Sequence, residues 1–374
     1  VKGRPGLVTS YRADAAVFRS TTQRVSFAVA VAAALIGVAW LPKHWIILLG
    51  TAFFAAIAAI GLNLLTGYAG QVSLAHAFFL GVGAYTGAAL AGEKGKEVFG
   101  LGLDLVLALP AAGLVAAAVG ALVSPLAVRL RGLYLAFVTL GLVFVGEHVF
   151  RNWDQLSGGA GVGRRTALLS LFGFRFDQDG AVLGVDFTKQ QKIYLLGLFL
   201  LIGMALLAKN LVRSKWGRAF AAVRDRDLAA EVMGIDLAAT KALAFSFSAF
   251  YAGVAGALLY AMSGVLEPSG FNLLLSVSYI AMILIGGAGS IAGSIVGAFF
   301  ITTLPELIEL AVRHLPLLER FVTTASAGGF LTASQLERIL FGLLIIGFLI
   351  LEPLGLMGIW LRVRNYFKAW PFSY

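Results

Sequence analysis

Ten separate apolar runs, each near the roughly 20 residues that a helix needs to cross a bilayer, limit this chain to one broad kind of fold. They cover residues 25–41, 45–66, 72–91, 103–125, 132–150, 193–208, 242–263, 271–287, 290–312 and 339–356. Backbone polar groups inside hydrocarbon have no water to bond to, so such runs must satisfy themselves as helices. The expectation is an all-α, polytopic membrane protein of about ten transmembrane helices. Composition agrees: 59% of the 374 residues are hydrophobic and 13% are charged, against about 25% charged in a soluble domain.

Several function classes fall away at once. The chain has no cysteine, which removes disulfide frameworks, thiolate metal sites and cysteine nucleophiles. Its four histidines, His44, His76, His148 and His314, are scattered with no metal-binding spacing, so no metal site is expected. No nucleophile–base pairing appears, and no catalytic residue is assigned. The formal charge of +10 resembles that of a nucleic-acid binder, yet membrane proteins gather Lys and Arg on cytoplasmic loops for topological reasons. No nucleic-acid partner is therefore expected.

Charge also orients the spans. With the N terminus inside, the cytoplasmic segments hold most of the basic residues, including Lys2, Arg4, Arg12, Arg19 and Arg24 at the start of the chain. Both termini are then cytoplasmic. Residues 1–24 read as a retained tail rather than a signal peptide, since no small-residue cleavage site follows the first apolar run. Residues 25–360 form the transmembrane domain, with an external loop at 151–192 and a cytoplasmic loop at 209–241, and residues 361–374 form a second tail. In the external loop the glycine-rich run Ser157 to Arg165 lacks the Lys-Ser/Thr of a phosphate loop, so a nucleotide site is rejected. A second external stretch, with Leu315, Leu317, Leu318 and Phe321, has an amphipathic look suited to the interface or to a partner.

The cytoplasmic loop contains a dense charged island, Trp216 to Asp236, between two long apolar runs. Asp227 can cap a short helix over 228–233, and Gly234 can supply its left-handed exit. Small apolar residues on a charged frame suit a helix lying in another protein's groove, although a solvated loop helix has the same pattern.

Inside the membrane, Gly61 to Gly87 departs from a plain lipid-facing span. Glycine recurs there beside Asn63, Gln71, Ser73 and His76, with Tyr85 further along. Polar groups in hydrocarbon are costly, so they face neighbouring helices or a water-filled path, and glycines allow a broken helix. These five residues are the candidates for a substrate pathway, the alternative being that they only bond helices together. A second glycine-rich stretch, Ile285 to Phe300, lies in the other half of the chain, as paired interruptions do in transporters. Both stretches cross in the same sense, so they do not argue for an inverted repeat. Glu147, His148, Glu306 and Glu309 lie near span ends, and no Asp or Lys sits mid-span, which argues against a proton or sodium relay.

Long ordered motifs carry a resemblance. GLNLLTGYAGQVSLAHAFFLGVGAYTGA from Gly61, RLRGLYLAFVTL from Arg129, WGRAFAAVRDRDLAAEVMGID from Trp216 and KALAFSFSAFYAGVAGAL from Lys241 are four of them. EPSGFNLLLSVSYIAMILIGGAGSIAGSIVGAFF from Glu267 and EPLGLMGIW from Glu352 complete the set. Together they resemble the LivM-type permeases of bacterial branched-chain amino acid ABC importers over most of residues 45–360. The resemblance implies the ABC importer permease fold in a bacterial inner membrane, surrounded by lipid. It implies a subunit that binds no cofactor itself and works beside a LivH-like second permease, two cytoplasmic ATPases that use ATP and Mg, and an external substrate-binding protein. It further implies that Trp216 to Asp236 docks on the ATPase, with Arg218, Arg224, Asp227, Ala229, Ala230, Glu231 and Gly234 as the coupling residues. The downstream Ile-x-Leu-Pro of the related importer loop is not reproduced.

Importers of urea, amides or aromatic acids share this permease design. The form SLAHAFF at Ser73 to Phe79 resembles the amino acid branch more than the urea branch, which tends to carry Gln in place of the His. A stand-alone secondary carrier or channel is the reading from a different class.

Overall fold

A computed structural model describes residues 21–92, 98–130, 132–159, 163–165, 169–182, 185–314, 322–323, 331–352 and 354–369. The stretch with Leu315, Leu317, Leu318 and Phe321, most of the N-terminal tail and the last residues of the chain lie outside these.

In chain order the helices are α1 (Thr21–Trp40), α2 (Lys43–Asn63), α3 (His76–Ala91), α4 (Leu105–Arg129), α5 (Leu133–Asn152), α6 (Asp154–Ser157) and α7 (Lys189–Arg213). They continue with α8 (Lys215–Asp225), α9 (Asp227–Val232), α10 (Leu237–Leu259), α11 (Leu273–Gly286), α12 (Ile291–His314), α13 (Ala333–Leu351) and α14 (Gly355–Ala369). Among the described residues eight helices are long and apolar enough to cross a membrane, and α3 is a shorter apolar helix. Each of the ten expected runs falls on a helix, but the run 72–91 becomes helical only at His76, because residues 69–75 leave the helix. Most of the expected loop 209–241 is helical, being taken up by the end of α7, by α8 and α9, and by the start of α10.

Local chemistry sets several helix starts. Thr188 opens α7 with a full capping box to Gln191, Ser214 accepts from Trp216 N at 3.2 Å to start α8, and Asp236 accepts from Ala239 N at 3.0 Å to start α10. Each satisfies an amide that the first helical turn leaves unpaired. Asp227 does not cap α9 as expected. It is the first residue of that helix, Arg226 holds the cap position without a side-chain bond, and the Asp227 carboxylate pairs instead with Lys241 at 3.0 Å.

The long helices alternate in direction. Along α2 and α12, His44 pairs with Glu306 at 2.8 Å near one end, Phe53 meets Phe299 with centroids 5.4 Å apart, and Asn63 meets Ser294 near the other. These two helices are therefore antiparallel. Likewise α10 runs against α4, since Lys241 near its start reaches Ala127 O near the end of α4. One end of the bundle carries the charged island, and the opposite end carries the loops with four two-stranded β ribbons. These ribbons are the only strands among the described residues of an otherwise helical chain.

Helix association in lipid depends on close packing rather than on hiding apolar surface from water. In the centre of the bundle α3, α4 and α10 meet at glycines. A Cβ on Gly83 would stand 2.2 Å from Gly253 Cα, and one on Gly253 would stand 2.6 Å from Ala116 Cβ and 3.0 Å from Gly113 Cα. Burial follows this plan: 72% of the most apolar window of α2 and 67% of that of α10 are buried, against 6% for α1. The first two are the axis of the bundle, and α1 is its outermost member.

Candidate functional site

At the end carrying the charged island, two helix interruptions meet. Helix α2 ends in a single π turn, Leu64–Tyr68, before the chain leaves helical form. The turn between α11 and α12 passes through Gly287 and Gly289 with φ of 123° and 77°. Asn63 ties the two together: its Nδ2 donates to Ser290 O at 2.9 Å and to Ser294 Oγ at 2.6 Å, and its Oδ1 accepts from Gly289 N at 2.8 Å. A side-chain amide with that many partners pins the loop on two sides.

The rest of the first interruption is satisfied by protein, as buried non-helical backbone must be. Gln71 N donates to Leu65 O at 3.0 Å, Thr66 Oγ1 donates to Gln71 O at 3.2 Å, and Gln71 Nε2 donates to Ala69 O at 3.2 Å. Leu74 N donates to Thr139 Oγ1 at 2.9 Å, Ala77 N to Ser276 Oγ at 3.0 Å, and Ser73 Oγ accepts from Ala75 N at 3.3 Å. Of the five pathway candidates, Asn63, Gln71 and Ser73 thus hold the interruption, and Gln71 also lines a cleft of about 400 Å³ beside Gly70, Gly132, Arg224 and Asp227. The other two stand further along α3. His76 packs edge-on against Tyr279 at 4.9 Å, and Tyr85 lies against Phe150 at 4.9 Å and Phe271 at 5.7 Å. All five are buried in this conformation. Both His76 Nε2 and Tyr85 OH lack a hydrogen-bond partner among the described residues.

The charged island folds as α8 and α9 against these breaks. Arg224 turns inward, its Nη1 donating to Gly67 O at 3.0 Å, while Nε and Nη2 reach Asp225 Oδ1, each at 3.2 Å. Gly70, with φ 69°, lies directly beneath it; a Cβ there would be 2.8 Å from Arg224 Cγ. Thus the end of α8 is fastened to the first interruption. Lys241 is 2% exposed and divides its donors between the Asp227 carboxylate and Ala127 O at 3.3 Å. That pairing seats α9 on α4 and α10, with Ala230 as its buried contact. The other face is open: Leu228, Val232 and Met233 are 68%, 87% and 82% exposed, flanked by exposed Ala229 and Glu231. Gly234 ends the element with φ 84° and open space around it. Arg218 is exposed and donates to Arg213 O at 3.2 Å.

The structure therefore divides the seven island residues, with Arg224, Asp227 and Ala230 facing the bundle and Arg218, Ala229, Glu231 and Gly234 facing away. Sequence reasoning missed Lys241, which closes the expected cytoplasmic loop directly before the apolar run 242–263. It also missed Arg164, the penultimate residue of the glycine-rich run dismissed as a phosphate loop. Arg164 is buried, donates to Leu156 O at 2.9 Å, to Ala88 O at 2.6 Å and to Phe99 O, and burial pushes its guanidinium below the usual range. It anchors the external loop on α3. Among the described residues no three His, Asp or Glu side chains come together as a metal site would require.

A bundle of alternating membrane-length helices, interrupted in two places that lock onto one another beneath a helical polar cap, defines a multi-pass membrane protein of the transporter class. The family described as branched-chain amino acid transport system / permease component matches residues 45–349, and the chain belongs to that family. It is 32% identical over 265 residues to the high-affinity branched-chain amino acid transport system permease protein LivM of Salmonella typhimurium, and equally to LivM of Escherichia coli. Those alignments cover 68% of this chain and 61% of each relative, so the chain spans about three-fifths of the length of these proteins. The permease protein LivH of Salmonella typhimurium is 25% identical over 310 residues, which are 81% of this chain and 91% of that protein. No solved structure matches the chain.

Proposed function

We propose that this chain is the LivM-like permease subunit of an ATP-driven importer of branched-chain amino acids in the bacterial inner membrane. It works beside a LivH-like subunit, with two ATPases gripping the end that carries α8 and α9 and a binding protein delivering substrate at the other. The chain itself holds no nucleotide, and ATP and Mg act in the ATPases. The observation that carries this reading is α9, a short helix seated by the bond of Asp227 to buried Lys241 yet offering Leu228, Val232 and Met233 to solvent. Apolar side chains so exposed on an otherwise charged segment favour a partner's groove.

Support for a path near α3 comes from His76 and Tyr85. Polar atoms kept dry and unpaired are costly, and opening the bundle would let them meet water or the zwitterionic end of an amino acid. The apolar side chain of such a substrate suits the surrounding Phe150, Phe271 and Tyr279. The likeness of the chain to LivM and LivH proteins favours branched-chain amino acids over urea.

The test is uptake by the complete complex in vesicles, with labelled leucine and labelled urea compared. ATP-dependent leucine uptake, absent when the chain is reconstituted alone, is the expected result. Uptake of urea only would replace the substrate, and transport by the isolated chain would replace the whole reading with a secondary carrier.

A further inference from the structure

At the end opposite the island, aromatic rings close the bundle. Phe271, fully buried, stands at their centre, its ring 5.7 Å from Tyr85 on α3, 6.0 Å from Phe150 on α5 and 5.4 Å from Tyr260 just past α10. Tyr85 and Phe150 meet each other at 4.9 Å. The other three rings sit on helices or at a helix end, whereas Phe271 hangs on the connection between α10 and α11, directly after the short 3₁₀ turn Pro268–Gly270. That connection is paired with the external loop, Leu266 in register with Arg164 and Val265 with Arg165. Ser269 on it is exposed, so the chain passes from solvent to the buried ring within two residues. Inside this layer the lining turns polar. Tyr85 OH has no hydrogen-bond partner among the described residues, and Tyr85 and Tyr279 each lie within electrostatic reach of Tyr260. His76 Nε2, equally unpaired, belongs to the first residue of α3, about 14 Å deeper than Tyr85 at roughly 1.5 Å per residue.

We propose that Phe271 is the outer gate residue of the transport path, a ring that blocks the way to His76 and is withdrawn by movement of the external loop. The inference rests on the reading of the chain as a permease whose path runs beside α3. Polar atoms kept dry and unpaired in one state are tolerable when another state brings them water or ligand, so the barrier above them has to be removable. A phenyl ring suits that barrier, because it fills space against its neighbours and has no polar atom to satisfy. Of the four rings it is Phe271 that can leave without unwinding a helix, since loop segments at element ends are where opening motions are absorbed. The walls around it are fixed: the Phe150 ring lies directly over Gly81 and the Phe78 ring over Gly146, which interlocks α3 with α5. The paired strands supply the handle. Arg164 fastens the external loop to Ala88 O at the outer end of α3, so a partner that shifts this loop pulls on Leu266 and, through the 3₁₀ turn, on Phe271.

The test is thiol labelling of the assembled complex, for which the cysteine-free chain is a clean background. His76→Cys places one thiol beneath the rings, and Ser124→Cys places a control thiol at a 5% exposed position near the opposite end of the bundle. A charged, membrane-impermeant methanethiosulfonate is added from the side opposite the island. In the resting complex neither thiol should react. During turnover with ATP and loaded binding protein the thiol at position 76 should react, which checks the path itself. With Phe271→Ala added, that thiol should react about tenfold faster or more with neither ATP nor binding protein present, because the rate follows the population of the open state. The thiol at position 124 should stay silent. Phe271→Leu, which refills the gap with apolar bulk, should restore protection, and Phe271→Val should give a smaller rise that keeps the test intact if the alanine variant does not assemble. Reaction during turnover with no effect of Phe271→Ala or Phe271→Val would overturn the gate and leave the path standing. Silence during turnover and in the alanine variant alike would overturn both. Labelling at position 124 in the Phe271→Ala chain would mean that the bundle has loosened throughout, which also overturns the gate.

Discussion

Arg224 is a polar side chain whose role depends on which way it points. On the charged island it reads as a residue for gripping a partner, yet its guanidinium is spent on Gly67 O and on neighbouring Asp225. Because Asn63 holds the second interruption against the same region, a shift of α8 is felt at Gly67 and, one hydrogen bond further, at Gly289. A positioning residue of this kind predicts a particular defect. In the assembled complex Arg224→Met should leave ATP hydrolysis running while its stimulation by loaded binding protein falls several-fold. Arg224→Lys should recover part of the stimulation, since one ammonium can still reach a carbonyl. Unchanged stimulation in the Met variant would show that the contact carries no signal. Asn63 itself was legible as an anomaly, being an amide in an apolar run. That its partners are Ser290 and Ser294 was not legible, because no local pattern encodes a contact across more than two hundred residues.

At the scale of elements, α8 and α9 each turn one face to the bundle and leave the other exposed. Phe220 and Val223 are buried under α8, and Ala230 is buried under α9. The outer face of α9 should carry the affinity for the ATPase, so the combined variant Leu228→Ser, Val232→Ser, Met233→Ser should weaken ATPase co-purification about tenfold or more, a loss of roughly 1.4 kcal/mol or greater. Its unfolding temperature should stay near that of the parent, because these side chains touch little of their own chain. A variant that still co-purifies in full would move the docking surface elsewhere. The short helix and its Gly234 exit were readable from the island, whereas its start was misplaced by one residue. Asp227 was drawn to the buried ammonium of Lys241, an interaction stronger than a cap and invisible without the fold.

The whole molecule has two unlike ends. Both interruptions lie at the end with the island, each between a helix arriving there and one leaving, so the two share a sense, as the span alternation required. Which end faces the cytoplasm is open to a direct measurement, since the chain has no cysteine of its own. Single cysteines at Val232 and Phe172, which are 87% and 85% exposed, mark the two ends. In intact cells an impermeant maleimide should label the Phe172→Cys chain and spare the Val232→Cys chain until the membrane is opened. The reverse pattern would invert the topology and deny cytoplasmic ATPases their docking surface.

Membrane class, helical content and the place of most of the apolar helices were determined by the sequence alone. Those are local properties: apolar length, glycine recurrence and polar residues in apolar surroundings need no partner to be recognised. Only the tertiary structure decided that Arg224, though 44% exposed, donates to Gly67 O, and that Lys241 is buried against Asp227. Such pairings depend on helix rotation and crossing, which close approach at residues such as Gly83 and Gly253 sets and which a one-dimensional pattern does not contain.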